Sequence, residues 1–159
     1  MIRRSVVGVD GCYVAVIGPS EATAEEMETA EMVGRLLAES DAVVVSGGMG
    51  GVMEAAARGA STAGGMVVGL LPGVDRAEAN PHVTVAITTG MGEMRNALIV
   101  RAADAVIAVG GAYGTLSEVA FALRTGVPVV GLGTWSLDDI VDAPDPAAAV
   151  ALALALAAA

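Results

Sequence analysis

The chain has 159 residues, the size of one ordinary domain, and its 8 basic and 18 acidic residues give a formal net charge of −10. All eight basic residues are arginine. Without lysine the chain has no side-chain amine for a pyridoxal-phosphate Schiff base or for a P-loop. The acidic balance argues against nucleic acid as a partner, because nucleic acid favours clustered Lys and Arg.

The cysteine and histidine content and the hydropathy restrict the remaining classes of protein. Cys12 is the only cysteine, which excludes an internal disulfide and predicts a reducing, cytoplasmic location. With His82 as the only histidine, we expect no metal site. The apolar tail 147–159 is shorter than the roughly 20 residues that span a bilayer, so we expect no membrane partner.

Apolar runs alternate with helical stretches along the whole chain. Runs such as Val43–Val45 and Val106–Val109 are apolar on both faces, which is typical of buried parallel strands. The alternation predicts a single α/β domain of Rossmann-like type: a doubly wound, mainly parallel sheet with helices on both faces and a core over about 13–133. In chain order the predicted elements are strand Tyr13–Gly18, helix Ala24–Glu39, strand Ala42–Ser46, helix Gly51–Ala63, strand Met66–Leu71, strand Val83–Ile87, helix Gly92–Ala103, strand Ala105–Val109, helix Thr115–Thr125, strand Pro128–Gly131 and a C-terminal helix over about 145–158.

Several residues predict where helices begin and end. Thr23 and Glu26 have capping-box spacing, and Asp145 followed by proline is typical of a helix start. Gly126 is a predicted C-terminal glycine cap. Leu71–Pro81 is a long polar loop, and we consider it a candidate mobile lid.

Three glycine-bearing turns follow predicted strands, at Gly18–Ser20, Ser46–Gly51 and Gly110–Thr115. In a doubly wound sheet ligands bind beyond the carboxyl ends of the strands. Glycines there let the backbone approach a phosphate, and the following helix offers free N–H groups. Tight strand-to-helix turns also use glycine, so each turn taken alone is equally well explained by chain geometry.

Two charged residues near these turns have competing interpretations. Arg95 follows the fourth predicted strand, where it is either a solvated arginine of an amphipathic helix or a ligand-side group. Glu118 ends Thr115–Glu118, itself a capping-box pattern, and from the pattern alone capping is favoured over catalysis. Among the aromatic residues Tyr113 is better placed than Trp135 to stack on a ligand.

At these turns the chain resembles the Lonely Guy (LOG) family, often labelled "possible lysine decarboxylase", and its relatives the molybdenum-cofactor carrier proteins. The LOG pattern is G-G-G-x-x-G-x-M-G, then an arginine–lysine pair, then P-G-G-x-G-T-x-x-E. Ser46–Glu54, Arg95-Asn96 and Gly110–Glu118 match its three parts in order. The resemblance covers about residues 13–133.

The resemblance implies a Rossmann-like homo-oligomer, a dimer or tetramer, that binds a small phosphate-bearing ligand. In the LOG hydrolases the arginine and the final glutamate release the base from a nucleoside 5′-monophosphate, which implies Arg95 and Glu118 as catalytic residues if this chain is an enzyme. The residues that the turns and the resemblance together predict for ligand and phosphate binding are Gly18, Ser20, Gly47, Gly48, Gly50, Gly51, Met94, Asn96, Gly110, Gly111, Ala112, Tyr113, Gly114 and Thr115.

The sequence therefore leaves two hypotheses for the function. Asn96, Gly110 and Glu54 depart from the hydrolase pattern and look more like the carrier branch, which favours a binding or carrier protein for a nucleotide-like or molybdopterin-type ligand. The retained Arg95 and Glu118 keep the alternative of a phosphoribohydrolase. No resident cofactor is required; a bound nucleoside monophosphate or molybdenum cofactor is expected. With no lysine, pyridoxal-phosphate decarboxylation is excluded. A purely structural domain is the third and weakest interpretation.

Overall fold

The fold is built on parallel strands that alternate with helices. The computed structural model describes residues 11–159. Their elements in chain order are β1 (Tyr13–Ile17), α1 (Ala24–Glu39), β2 (Val43–Ser46), α2 (Val52–Thr62), β3 (Val67–Leu71), β4 (Val85–Thr88), α3 (Asn96–Arg101), β5 (Ala105–Val109), α4 (Tyr113–Thr125), β6 (Val129–Leu132), β7 (Ile140–Asp142) and α5 (Pro146–Ala157). The strands form one sheet in the order β4-β3-β2-β1-β5-β6-β7, with every neighbouring pair parallel.

Both faces of this sheet are covered by helices. In β1, Val14 and Val16 pack in a core layer that contains α1, α2 and α5. Ala15 and Ile17 pack in a second layer with α3 and α4. β2 and β5 are buried along their whole length, as their unbroken apolar runs predicted. The predicted Rossmann-like, doubly wound architecture is confirmed.

The predicted helix ends are confirmed at three places. The Thr23 hydroxyl accepts a hydrogen bond from the Glu26 N–H at 3.1 Å, and the Glu26 carboxylate accepts one from the Thr23 N–H at 2.9 Å. Gly126 ends α4 in the left-handed conformation, with φ of 76°. The Asp145 carboxylate accepts an N–H of the first turn of α5. Each cap satisfies backbone groups that the helix leaves unpaired.

The structure adds one strand, β7, to the predicted elements and changes two others, β4 and the helix predicted over 92–103. β7 was not predicted, because two of its three residues are exposed at the edge of the sheet and form no apolar run. β4 begins at Val85 rather than Val83, since the preceding Thr84 uses its side chain to accept the Val67 N–H. The predicted helix 92–103 is divided: 92–95 form a 3₁₀ turn, and only Asn96–Arg101 are α-helical.

α5 has no charged or hydrogen-bonding side chain over its length. One face packs on α1 and on the sheet through Ala149, Val150 and Ala153. Ala147 and Ala151 are exposed on the other. Within residues 11–159 no helix is both long and apolar enough to cross a membrane. A subunit contact through this face stays a prediction.

The helices α1 and α2 approach each other backbone to backbone. A Cβ added at Gly34 would lie 2.0 Å from the carbonyl oxygen of Ala56, and one at Gly59 would lie 1.9 Å from that of Glu31. Neither obstacle is a movable side chain end. These two glycines therefore set the spacing of the helices that follow the first and second glycine turns.

We expect Gly34→Ala to lower the free energy of unfolding by about 3 kcal/mol, because overpacking against backbone cannot be relieved by a rotamer change. In thermal unfolding this corresponds to a Tm about 6–12 °C lower. Gly114→Ala is the matched control: it lies in α4 with nothing within 4 Å of the added Cβ, and we expect a change within about 1 kcal/mol. Equal Tm values for Gly34→Ala and wild type would contradict the close-approach argument.

Candidate functional site

The candidate site lies where the strand order reverses. Strands β1 to β4 follow one another toward one edge of the sheet, and strands β5 to β7 follow one another toward the other edge. The topological switch point is therefore between β1 and β5. Beyond the carboxyl ends of the strands there is a cleft of about 480 Å³. It is lined by Gly18, Pro19, Ser20, Met49, Gly50, Met53, Pro72, Glu93, Arg95, Asn96, Ala112, Gly114, Thr115 and Glu118.

The first two glycine turns are joined to each other. The Val52 N–H donates to the carbonyl oxygen of Pro19 at 3.1 Å. Gly51 precedes α2 with φ of 64°, and a Cβ there would lie 2.3 Å from that same oxygen. Only glycine fits this position, for steric and conformational reasons together. The contact fixes Ser20 and Gly50 on one wall of the cleft.

The long polar loop is anchored on the second turn. Its Asn80 is buried, donating from the backbone N–H to the Gly48 carbonyl at 2.8 Å and from the side-chain amide to the Met49 carbonyl at 2.9 Å. At the start of the loop, the Pro72 carbonyl accepts the Gly92 N–H. The sequence did not single out Asn80. Closure of this loop as a lid stays a prediction.

The third turn leads into α4 two residues earlier than predicted. α4 begins at Tyr113, and Thr115 lies within its first turn, where its hydroxyl accepts the Ala112 N–H at 3.3 Å. Glu118 therefore lies in the second turn, too far along the helix to cap it. The capping interpretation of Glu118 is wrong, and its side chain is buried at the cleft instead.

Arg95 is held against the second turn. Its side chain is only 9% exposed, so the interpretation as a solvated arginine is wrong. One terminal nitrogen donates to the Gly47 carbonyl at 3.4 Å, and the other donates to the side-chain oxygen of Asn96. Its Nε is buried and has no hydrogen-bond partner among residues 11–159. A Cβ at Gly47 would lie 2.6 Å from the guanidinium, so a larger residue there would displace the Arg95 side chain.

Burial controls the electrostatics of Arg95 and Glu118. Burial raises the pKa of the Glu118 carboxyl to about 8, and the Arg95 charge, which lowers that pKa, offsets only part of the effect. Burial lowers the pKa of Arg95 from its ordinary value, opposed by the charges of Glu118 and Glu93. Arginine remains charged at all working pH values. Near neutral pH the cleft thus holds the Arg95 cation and a mostly protonated Glu118 carboxyl group, and Glu93 also lies in its lining.

The predicted residues divide into those at the cleft and those beside or beneath it. Gly47 and Gly48 are buried beneath the second turn, and Met94 is 73% exposed outside the lining. Gly110 faces Glu26 in a neighbouring acidic cleft. Five residues of the lining were not among the predicted site residues: Pro19, Met49, Met53, Pro72 and Glu93. Pro72 and Glu93 follow strand ends, and that position in the sequence could have identified them.

An aromatic pair stands on the third turn. The rings of Tyr113 and Trp135 stack with centroids 6.1 Å apart and planes 29° apart. The Trp135 indole N–H donates to the Ala112 carbonyl at 3.2 Å. A Cβ at Gly111 would lie 2.8 Å from that indole nitrogen, so Gly111 makes room for the tryptophan rather than lining the cleft.

Known proteins share this architecture over nearly the whole chain. The molybdenum cofactor binding protein from the phototrophic bacterium Rippkaea orientalis superposes with a TM-score of 0.88 and 34% identity, covering 93% of this chain and 98% of that one. The molybdenum cofactor carrier protein from Chlamydomonas reinhardtii gives a TM-score of 0.86 and 33% identity, covering 94% and 99%. These similarities support a role in binding a small ligand.

Sequence comparisons agree with the structural ones. An uncharacterized protein of Archaeoglobus fulgidus is 46% identical over 119 residues, which cover 75% of this chain and 78% of the relative. The model of the SLOG cluster 4 family matches residues 11–156. The predicted resemblance to LOG-like proteins and their molybdenum-cofactor carrier branch is confirmed, and the chain belongs to the SLOG cluster 4 family.

Proposed function

We propose that this chain binds a phosphate-bearing ligand of molybdopterin or nucleotide type in the cleft and acts as a carrier for it. The observation that carries the proposal is the buried, unpartnered Nε of Arg95 at the cleft. A buried donor without a partner costs about 1–3 kcal/mol, and more when it is charged. A ligand oxygen that accepts a hydrogen bond from this Nε would remove that cost and so favour binding.

The third turn offers a place for the phosphate. α4 is a 13-residue helix, and Gly114 and Thr115 in its first turn line the cleft. The free N–H groups and positive dipole end of such a helix attract anions. The Thr115 hydroxyl accepts from Ala112 and still has its own hydrogen to donate. We assign the phosphate to this end of the cleft.

Protonation of Glu118 removes an objection to this arrangement. An ionised carboxylate beside a phosphate would repel it. With a pKa of about 8, the Glu118 carboxyl is mostly neutral at pH 7 and can donate a hydrogen bond to a ligand oxygen. Of these two groups, Arg95 then gives the cleft a positive charge and Glu118 adds no full negative charge, while Glu93 is a second carboxyl group in the lining.

Asn96 supports the carrier over the hydrolase. Where the LOG pattern has a second cation, this chain has an amide whose oxygen accepts a hydrogen bond from Arg95. The amide orients the guanidinium without adding charge. The similarity to proteins described as binding or carrying the molybdenum cofactor supports the same choice.

A phosphoribohydrolase is the second candidate, because Arg95 and Glu118 line the same cleft. A mostly protonated Glu118 is suited to protonating a departing base. It is less suited to stabilising an oxocarbenium-like centre, which needs the ionised form. If the chain is a hydrolase, the raised pKa therefore assigns Glu118 the role of proton donor to the departing base.

Thermal shift with guanosine 5′-monophosphate tests the binding site. At a ligand concentration about 100-fold above Kd we expect stabilisation of about 2.7 kcal/mol, a rise in Tm of roughly 5–11 °C. Arg95→Gln should weaken the affinity about tenfold to a hundredfold, the value of hydrogen bonds to a charged group. The exposed Arg101→Gln, at the end of the short helix α3 that follows Arg95, is the charge-matched control and should keep the full shift. An unchanged affinity in Arg95→Gln would contradict the proposed site.

The pH dependence of stability tests the state of Glu118. Because its folded pKa of about 8 lies above its ordinary value of 4.5, the protonated carboxyl contributes stability that is complete below about pH 4.5 and lost as the pH rises through 8. We expect the wild-type Tm to fall relative to that of Glu118→Gln between about pH 5 and pH 9. Parallel Tm curves for the two proteins would show that Glu118 is ionised in the fold.

Incubation with adenosine 5′-monophosphate, followed by chromatography for free adenine, tests the second candidate. If the chain is a hydrolase, base is released by the wild type, and Glu118→Gln loses about 10²–10⁴-fold in rate, the usual contribution of a general acid. Absence of release, together with a ligand-induced rise in Tm, is the result that the carrier proposal expects.

A further inference from the structure

The aromatic pair on the third turn is unusual for this chain. The 159 residues include only one Trp, two Tyr and one Phe. Two of these four rings stack on each other at the surface, and Tyr113 is 84% exposed. An aromatic side chain left in water contributes little to the core, so the stability of the fold does not explain the position of Tyr113.

The pair is held in place by the backbone of the turn. The indole N–H of Trp135 is bonded to the Ala112 carbonyl, and Gly111 leaves the space that the indole occupies. Tyr113 rests on that fixed ring. The tyrosine ring lies beside the Trp135 ring, with centroids 6.1 Å apart, and at 84% exposure most of Tyr113 is open to solvent.

The open ring lies beside the cleft, outside its lining. Ala112 and Gly114, the neighbours of Tyr113 on both sides, line the cleft, and Tyr113 is the first residue of α4. A phosphate held by the first turn of α4 would therefore bring the group attached to it next to Tyr113. Buried Arg95 with its unpartnered Nε points independently to a ligand in the same cleft.

We propose that Tyr113, backed by Trp135, is a stacking platform that selects phosphate ligands carrying a planar nitrogen heterocycle, a purine or a pterin, over those without one. This inference rests on the proposed function, since it assumes a phosphate at the third turn. Stacking is tolerant of ring substituents because every such heterocycle has a π-face. The platform therefore recognises the planar shape of the ligand's heterocycle and not its hydrogen-bonding groups.

A matched pair of ligands isolates the contribution of the ring. Guanosine 5′-monophosphate carries a planar base, and ribose 5-phosphate has the same phosphate and sugar without it. Trp135 is the only tryptophan, so its fluorescence reports on this platform alone. We expect guanosine 5′-monophosphate to quench the emission and to bind about tenfold more tightly than ribose 5-phosphate. Thermal shift gives the affinities independently of fluorescence.

Variants separate stacking from other effects of the residue. Tyr113→Ala should weaken guanosine 5′-monophosphate about tenfold and leave the affinity for ribose 5-phosphate unchanged, whereas Tyr113→Phe should keep both affinities. Leu137→Ala, which shortens an exposed apolar side chain two residues after Trp135, is the truncation control and should change neither.

The outcomes distinguish this inference from the proposed function. If both ligands raise the Tm equally and Tyr113→Ala affects neither, the site exists and the stacking platform is refuted. If neither ligand binds, nor does neopterin phosphate as the pterin probe, both the proposed function and the platform are overturned. If Tyr113→Ala still binds guanosine 5′-monophosphate more tightly than ribose 5-phosphate by the same factor, the base binds elsewhere and the platform is also refuted.

Discussion

The parallel pairing of β1 with β5 is the constraint on which the site depends. Its register, Val14 with Ala105 through Ile17 with Ala108, ends both strands at the same level. The turns that follow are then forced together: a Cβ at Gly18 would lie 2.5 Å from the Val109 carbonyl oxygen. Because the chain leaves this pair in opposite directions, no strand covers the gap above it. The strand order thus creates the cleft, and the glycines allow the turns after β1 and β5 to approach each other this closely.

The ionisable groups of the cleft lower the stability of the fold. A guanidinium nitrogen without a partner and a carboxyl driven to its neutral form are both unfavourable in the empty protein. The surrounding sheet is buried on both faces and supplies the stability that such groups need. Strained or unsatisfied groups of this kind concentrate where a protein binds its ligands.

The sequence predicted the architecture well, because apolar periodicity and caps are local signals. Thr23, Gly126 and Asp145 act within one or two helical turns of their own position. The failures arose where distant contacts decide. Glu118 fits a capping box in sequence, but α4 starts two residues earlier, and burial then changes its role. Arg95 is removed from solvent by Gly47, 48 residues away along the chain, a contact that no local pattern encodes. β7 pairs at an edge where little apolar surface is needed.

The close approach of α1 and α2 has a consequence for how the cleft can respond to a ligand. The helices meet through backbone at Gly34 and Gly59, and the turns that precede them are bonded to each other. Backbone-to-backbone contacts of this kind have no side-chain rotamers through which to yield. The wall built from the first and second turns is therefore the stiffer one, and we expect the cleft to adjust to ligands of different size at the opposite wall, on α3 and α4.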